Sequence, residues 1–271
     1  MLKQQAAKWA IVACATMAFG AFAYDAGTAY TVPAGTTVTV TDADIASFNS
    51  LASVTFGDAA ATLVFNTSKA PTVPISGNGT IRKVSADGWT LDTAQSGFTG
   101  TWDFTNGETS LAVRYVLGSE TSKSNIYVRA GATLSLDSTD FLFGTRPLHL
   151  AGTGFSNRGA LRVTVYSNTG SNMLKLTELD DDADIAFVGN AYLFHWAADS
   201  NATPLVLNSH TLTLKVEAQS QLLYLRDGQL VGPGRIVSTN IANNAKFAGG
   251  LSLRGVKILD PSVEIVLTPY A

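Results

Sequence analysis

Hydrophobic and polar residues alternate along most of the chain from Ala26 onward. In the segment "TTVTV", which ends at Val40, both valines fall on one face of an extended strand and threonines fall on the other. The segments 132–138, 160–165 and 211–216 repeat this pattern with leucine and valine. Because successive side chains of a strand point to opposite faces, the pattern predicts β-strands with one buried face and one threonine-rich, solvent-facing side.

Other short segments of the same character are separated by glycine, asparagine, aspartate and serine, which favour turns. The additional predicted strands are Ser53–Phe56, Thr62–Phe65, Thr80–Val84, Thr101–Phe104, Ile126–Arg129, Asp184–Val188, Leu205–Leu207, Leu222–Leu225, Arg235–Val237, Leu251–Leu253 and Glu264–Leu267. Short, closely spaced strands of this kind are typical of a sandwich, a barrel or a solenoid.

Weak internal repeats favour the solenoid among these three architectures. "AGTTVTV" at 34–40 recurs as "AGATLSL" at 130–136. A glycine-x-glycine pattern also precedes a strand at Gly77, Gly152 and Gly232. The chain of a solenoid turns corners in every coil, and glycine adopts the backbone conformations that such corners require. We therefore predict an all-β solenoid whose inward side chains stack into one apolar column.

The glycine-rich segment "LAGTGFSNRGALRVTV" at 150–165 has an alternative interpretation, the phosphate-binding loop of a dinucleotide site. That fingerprint requires a third glycine three residues after the second, followed by a helix. Here that position is Asn157, and an alternating strand pattern follows. We therefore predict a structural corner.

The glycine-led segments resemble the β-helical passenger repeats of bacterial autotransporters and related large secreted surface proteins. The resemblance lies in "GNGTIRKV", "AGATLSL", "GTGFSNRGALRVTV" and "GPGRIV", spread between Ala34 and Val237. It implies a right-handed parallel β-helix exported to the cell exterior, and it implies no reaction. The membrane β-barrel that ends a complete autotransporter does not follow, so we expect either a stand-alone secreted solenoid or a segment of a longer protein.

The N-terminus is typical of a secretory signal peptide spanning residues 1–23. Lys3 and Lys8 form a basic region, "WAIVACATMAFGAF" an apolar region, and "AFA" a cleavage site. A lipoprotein signal is the alternative, because Cys14 ends a segment similar to a lipobox. We predict cleavage after the signal, a single mature domain of residues 24–271, and a secreted or cell-surface location.

One segment departs from the alternation. In "TDADIASFNSLA", the residues Ile45, Phe48 and Leu51 recur every three positions, which predicts a short helix that covers the first coil. Thr41 or Asp42 would cap its start. An irregular loop leading into the next strand is the alternative.

The chain has a formal net charge of −3, from 18 basic and 21 acidic residues, without a basic cluster. Proteins that bind nucleic acid neutralise phosphates with clustered lysine and arginine, so nucleic acid is not an expected partner. No second hydrophobic segment follows the predicted signal, so we expect no membrane-spanning segment in the mature chain.

The densest group of charges is "ELDDDADI", which begins at Glu178. Calcium takes several oxygen ligands, so Asp180, Asp182 and Asp184 are candidate calcium ligands. Asp181 and Asp182 are candidate catalytic carboxylates, because sugar chemistry uses paired acids and bases. A solvated turn without either role is the favoured interpretation, so we expect neither a metal nor a cofactor.

The most aromatic segment is "AYLFHWA", in which alternation places Tyr192, Phe194 and Trp196 on one face. If they point outward, the rings form a flat surface that suits sugars or a partner protein, and the three are candidate ligand-binding residues. Inward packing is favoured, since burial stabilises each large side chain by about 1.5–3 kcal/mol. The three histidines of the chain show no metal-ligand spacing.

Two functions follow from these patterns. The first is a non-catalytic secreted structural or adhesin-type protein that presents solenoid faces to glycans or surface proteins. The second is a carbohydrate-active enzyme, a polysaccharide lyase or glycoside hydrolase, with its site near the acidic segment and an arginine such as Arg158 or Arg162. In either case, unpaired strand edges at the solenoid ends predict self-association.

Overall fold

The computed structural model describes residues 24–113, 115–119, 121–137, 146–164, 176–188, 194–195, 204–216, 222–226, 229–240, 250–252 and 257–267. The predicted signal peptide lies outside these residues, so its cleavage stays a prediction. Within the described part of the chain, no helix is long and apolar enough to cross a membrane.

Short β-strands make up nearly all the regular structure of the described residues, and each predicted strand overlaps an observed one. The elements are β1 (Ala29–Val32), β2 (Thr37–Thr41), α1 (Ile45–Phe48), β3 (Ser53–Phe56), β4 (Thr62–Asn66), β5 (Ile75–Ser76), β6 (Thr80–Lys83), β7 (Trp89–Leu91), β8 (Thr101–Phe104), β9 (Gly107–Leu111), β10 (Ile126–Val128), β11 (Ala132–Leu136), β12 (Pro147–Gly152), a 3₁₀ turn (Phe155–Asn157), β13 (Leu161–Val163), β14 (Leu176–Phe187), β15 (Phe194–His195), β16 (Pro204–Val206), β17 (Thr211–Val216), β18 (Leu222–Arg226), β19 (Gln229–Val231), β20 (Gly234–Asn240), β21 (Gly250–Ser252), β22 (Lys257–Ile258) and β23 (Val263–Leu267).

All of the strand pairs between these elements are parallel. Most of them form two long ladders, and two short three-stranded sheets consist of β1, β3 and β5 and of β15, β18 and β21. The first ladder stacks β2, β4, β6, β8, β10, β12, the start of β14, β16, β19 and β22. The second ladder stacks β7, β9, β11, β13, the end of β14, β17, β20 and β23. This arrangement is a β-solenoid and confirms the predicted fold class, while the right-handed sense of coiling stays an expectation from the resemblance.

The inward side chains of the first ladder form one continuous column. Successive rungs place an inward residue directly on the one before it, and all but the last are almost fully buried. The column is Val38, Leu63, Ile81, Trp102, Ile126, Leu148, Thr177, Leu205, Leu230 and Ile258. The predicted apolar column is therefore confirmed, with one hydroxyl inside it.

The glycines that precede strands occupy corners, as predicted. Gly77, Gly152 and Gly232 have φ of 94°, 82° and 82°, in the left-handed region that other residues rarely adopt. At Gly154, which has φ of 81°, an added Cβ would lie 2.0 Å from the carbonyl oxygen of Gly159. Glycine is therefore required at this position by the turn and by the close approach of the backbone. The segment continues through the single 3₁₀ turn into β13, so the long helix of a dinucleotide site does not follow.

The predicted short helix is present as the single turn α1, but its predicted cap is wrong. The N-cap residue is Asp44, whose carboxylate accepts hydrogen bonds from the backbone N–H and the hydroxyl of Thr41 at 3.0 and 2.6 Å. Asp42 instead accepts hydrogen bonds from Thr67 and Ser68 of the following coil. These bonds, first among them the one from the Ser68 backbone, lower the pKa of Asp42. Asp42 therefore does not cap α1, because its carboxylate is bound to the following coil.

Thr177 offers a test of the column, because its buried hydroxyl has no hydrogen-bond partner among the described residues. We expect Thr177→Val to raise the free energy of unfolding by about 1 kcal/mol, since an unsatisfied buried hydroxyl carries a desolvation penalty. Urea denaturation measures the change.

The matched control is Thr133, which is also fully buried. Its hydroxyl donates to the carbonyl of Gly159 at 2.7 Å and accepts from the N–H of Phe155 at 2.8 Å. Thr133→Val should therefore lower the free energy of unfolding. Destabilisation by both substitutions would show that the Thr177 hydroxyl is satisfied.

Candidate functional site

The acidic segment lies where β14 passes from the first ladder to the second. Residues 177–179 pair in the first ladder and residues 183–187 pair in the second, so Asp180, Asp181 and Asp182 form an exposed corner between them. We call these three residues the acidic corner. Its position follows from the fold, because each coil must turn between the two ladders.

Asp184, the third candidate calcium ligand, lies beyond this corner. It is buried in the second ladder and forms an ion pair with Lys215 of the next coil. Asp180 and Asp182 have separate partners, described below. The calcium assignment to Asp180, Asp182 and Asp184 stays a prediction.

A charged row runs across coils on the outer face of the first ladder and reaches the acidic corner. Asp103 accepts from the Nε of Arg82 at 2.8 Å and from the Nε of Arg129 at 2.9 Å. The same Arg129 guanidinium contacts Asp180 at 3.3 Å, and Asp180 lies 2.9 Å from Nδ1 of His149. We call Arg82, Asp103, Arg129, Asp180 and His149 the charged row. Its carboxylates each lie between two basic side chains.

An aromatic ring supports the middle of the charged row. The ring of Tyr127 stacks on that of His149 with centroids 4.5 Å apart. The guanidinium of Arg129 lies 4.0 Å from the centre of the same tyrosine ring, a distance at which a cation is attracted to the π system. These contacts hold the His149 imidazole, whose side chain is 12% exposed, against the acidic corner.

A second histidine approaches the acidic corner from the opposite side, in the following coil. Nδ1 of His210 lies 3.7 Å from Oδ1 of Asp182 and 3.9 Å from Oδ1 of Asp181. These three residues form a group of potential metal-binding side chains whose ligand atoms lie within 4.8 Å of one another. Sequence reasoning did not connect them, because 28 residues separate Asp182 from His210.

The two arginines considered with the acidic segment lie elsewhere. Arg158 pairs with Glu108, and Arg162 has its Nη1 3.7 Å from Oε1 of the same carboxylate. The arginine that contacts the corner is Arg129, which the sequence analysis did not single out. Arg129 directly follows β10, and its alternation with Tyr127 two residues earlier was the signal in the sequence that could have identified it.

Only part of the aromatic segment lies within the described residues. Phe194 and His195 form β15, which pairs with residues 225–226 of β18. Tyr192 and Trp196 lie outside the described residues. Ligand binding by Tyr192, Phe194 and Trp196 therefore stays a prediction.

The chain was also compared with known proteins. No family model matches it, and neither the curated proteins nor the solved structures give a significant match. The observed architecture is that of a β-helical repeat protein, and the more specific resemblance to autotransporter passengers stays a prediction.

Proposed function

We propose that this chain is a non-catalytic, secreted or cell-surface β-solenoid that presents its outer faces to glycan or protein partners. The observation that carries the proposal is the charged row, in which Asp103 and Asp180 are each held between basic side chains. Glycoside hydrolysis commonly requires one protonated carboxylic acid and one free carboxylate across the scissile bond. In the charged row, both carboxylates are already engaged by neighbouring side chains of the chain itself, an arrangement that suits a structural or binding surface better than a catalytic pair.

The first ladder provides the surface on which a partner would lie. Its outward row continues past the charges to Val206 and Val231, in register with Glu178. Charged groups beside half-buried apolar side chains are ordinary components of a recognition surface. The proposed secretion rests on the predicted signal peptide. Secretion would put the outer face of the first ladder outside the cell.

A second copy of the chain is a further proposed partner. On β22 and directly after it, Ile258 is 48% exposed and Leu259 is 56% exposed, whereas the inward residues of earlier rungs are buried. Stacking a further rung on this end would cover Ile258, the last inward residue of the column, which supports the predicted self-association.

The alternative, a carbohydrate-active enzyme, is supported by the grouping of Asp181 and Asp182 with His210. Purified protein is incubated with acidic and neutral polysaccharides, with and without calcium, while unsaturated and reducing ends are followed. We expect no product above the rate without protein. Turnover that disappears in the variant carrying Asp181→Ala and Asp182→Ala would overturn the non-catalytic proposal.

The binding half of the proposal is tested on the same polysaccharides by affinity electrophoresis. Arg129→Gln should weaken retention of a bound acidic polysaccharide by roughly two- to fivefold, the effect of about 0.4–1 kcal/mol for an exposed charge. Lys69→Gln, an exposed lysine outside the charged row, is the matched control and should bind like the wild type. Equal effects of the two substitutions would show that binding depends on general charge.

A further inference from the structure

We propose that Asp181, Asp182 and His210 bind a divalent metal ion of the zinc type, which joins two consecutive coils. The carboxylates come from the corner of β14, and the imidazole comes from the turn immediately before β17. The nitrogen donor on a separate coil distinguishes this group from an acidic turn alone. The inference is independent of the proposed function.

The ligand atoms are already near the spacing that such an ion requires. Two ligand atoms at about 2.1 Å from a tetrahedral zinc ion lie roughly 3.4 Å apart. The observed distances from His210 Nδ1 to Asp182 Oδ1 and Asp181 Oδ1 are 3.7 and 3.9 Å. Small rotations of these exposed side chains would bring the ligand atoms to the spacing required around zinc.

Backbone contacts hold the group in place without an ion. The N–H of Thr211 donates to Oδ1 of Asp182 at 2.7 Å, and the N–H of Asp182 donates to Oδ1 of Asp181 at 2.8 Å. The N–H and carbonyl of His210 are bound to the backbones of Leu207 and Arg235. Each carboxylate retains a second oxygen, and solvent reaches all three residues, since their side chains are between 31% and 71% exposed.

The donor set selects the class of ion. Calcium takes six to eight oxygen ligands, whereas zinc is commonly held by three protein ligands, with water in the remaining position. Imidazole nitrogen favours zinc and its neighbours over calcium and magnesium. The expected ion therefore differs from the calcium that the run of aspartates by itself suggests.

The test is a calorimetric titration of the chelator-treated full chain with zinc chloride and, separately, calcium chloride. We expect one saturable zinc site per chain and a zinc-dependent rise in melting temperature, because an ion that binds only the folded state stabilises it. His210→Gln should weaken zinc binding by at least about tenfold. Asp182→Asn, which keeps an oxygen acceptor for Thr211, should do the same.

His149→Gln is the matched control, because His149 contacts the acidic corner from the other side. It should bind zinc within about twofold of the wild type, a difference of about 0.4 kcal/mol. The proposal is overturned by an absence of saturable zinc binding, by wild-type affinity in His210→Gln, or by an equal loss in His149→Gln. Calcium binding that is as tight as zinc binding and insensitive to His210→Gln would assign the ion to the acidic corner alone. Far-ultraviolet circular dichroism establishes that each variant is folded.

Discussion

Trp102→Ala should lower the free energy of unfolding by about 3–5 kcal/mol, the range observed for large aromatic residues removed from a core. Trp102 is fully buried in the column, directly between Ile81 and Ile126. Its ring stacks on that of Phe104 at 5.4 Å, and its Nε1–H donates to the carbonyl of Leu117 at 2.9 Å. The substitution would leave a cavity shared by three coils. Urea denaturation followed by circular dichroism measures the loss.

Thr101→Ala is the control for this experiment, because Thr101 is the preceding residue of β8 and faces outward. It should change the free energy of unfolding by no more than about 0.5 kcal/mol, as is usual for surface substitutions. Trp102→Phe should fall between the two, because it retains an aromatic ring and loses the hydrogen bond. A similar loss for Thr101→Ala and Trp102→Ala would contradict the assignment of inward and outward faces.

The stability of the protein should rise with pH above about 8, because Lys83 is buried inside the solenoid. Its side chain is fully enclosed, and Nζ donates to the carbonyls of Ser85 and Asn106 at 2.7 Å each. Burial lowers the pKa of Lys83 to about 8 from an ordinary 10.5, although the charge of Asp87 opposes the shift. The folded state therefore disfavours the protonated amine.

The direction of the pH effect follows from proton uptake. Between about pH 8 and 10.5 the unfolded chain binds more protons at Lys83 than the folded chain does, so the free energy of unfolding increases with pH. The full gain is at most about 3 kcal/mol, reached above the unfolded pKa. Measurements from pH 7.5 to 9.5 report mainly on Lys83, because the other two buried groups titrate above this range. The pKa of Arg146 is lowered only to about 10, and burial raises the pKa of Tyr24.

Lys83→Met removes the titrating group, so its free energy of unfolding should not share the wild-type rise over this pH range. Lys69→Met, at an exposed position, is the matched control and should retain the rise. A rise of equal size in Lys83→Met would mean that another group causes it. The variants are compared by the slope of the free energy of unfolding against pH. Absolute values are not compared, because Lys83→Met also leaves the two carbonyls without their donor and so lowers stability at every pH.

Much of the fold could be predicted because its signals are local. Alternation identified strands such as β2 and β11, and the glycines before β6 and β20 marked corners. The strand β9 was missed, since Gly107–Leu111 begins with glycine, which is unusual in strands. The cap of α1 was wrong because Asp42 bonds to the following coil.

The candidate site was less predictable, because it depends on which coils are neighbours. Partners in the first ladder are separated by 18 residues between Thr62 and Thr80 but by 29 between Leu148 and Thr177. With coils of unequal length, a sequence does not reveal which outward residues share a row. The run of aspartates was visible, but the histidines on either side of it were not assigned to it.

The sequence by itself determined the all-β class, the period of the strands and the glycine corners, because each of these depends on the conformation of adjacent residues. Only the tertiary structure decided that the Lys83 amine is bound by a carbonyl of the following coil, that of Asn106, and that His149 and His210 flank one acidic corner. Both facts depend on the register between coils, which is set by packing across the whole ladder. A side chain's neighbours in a solenoid lie a full coil away, so they cannot be deduced from the pattern of a single strand.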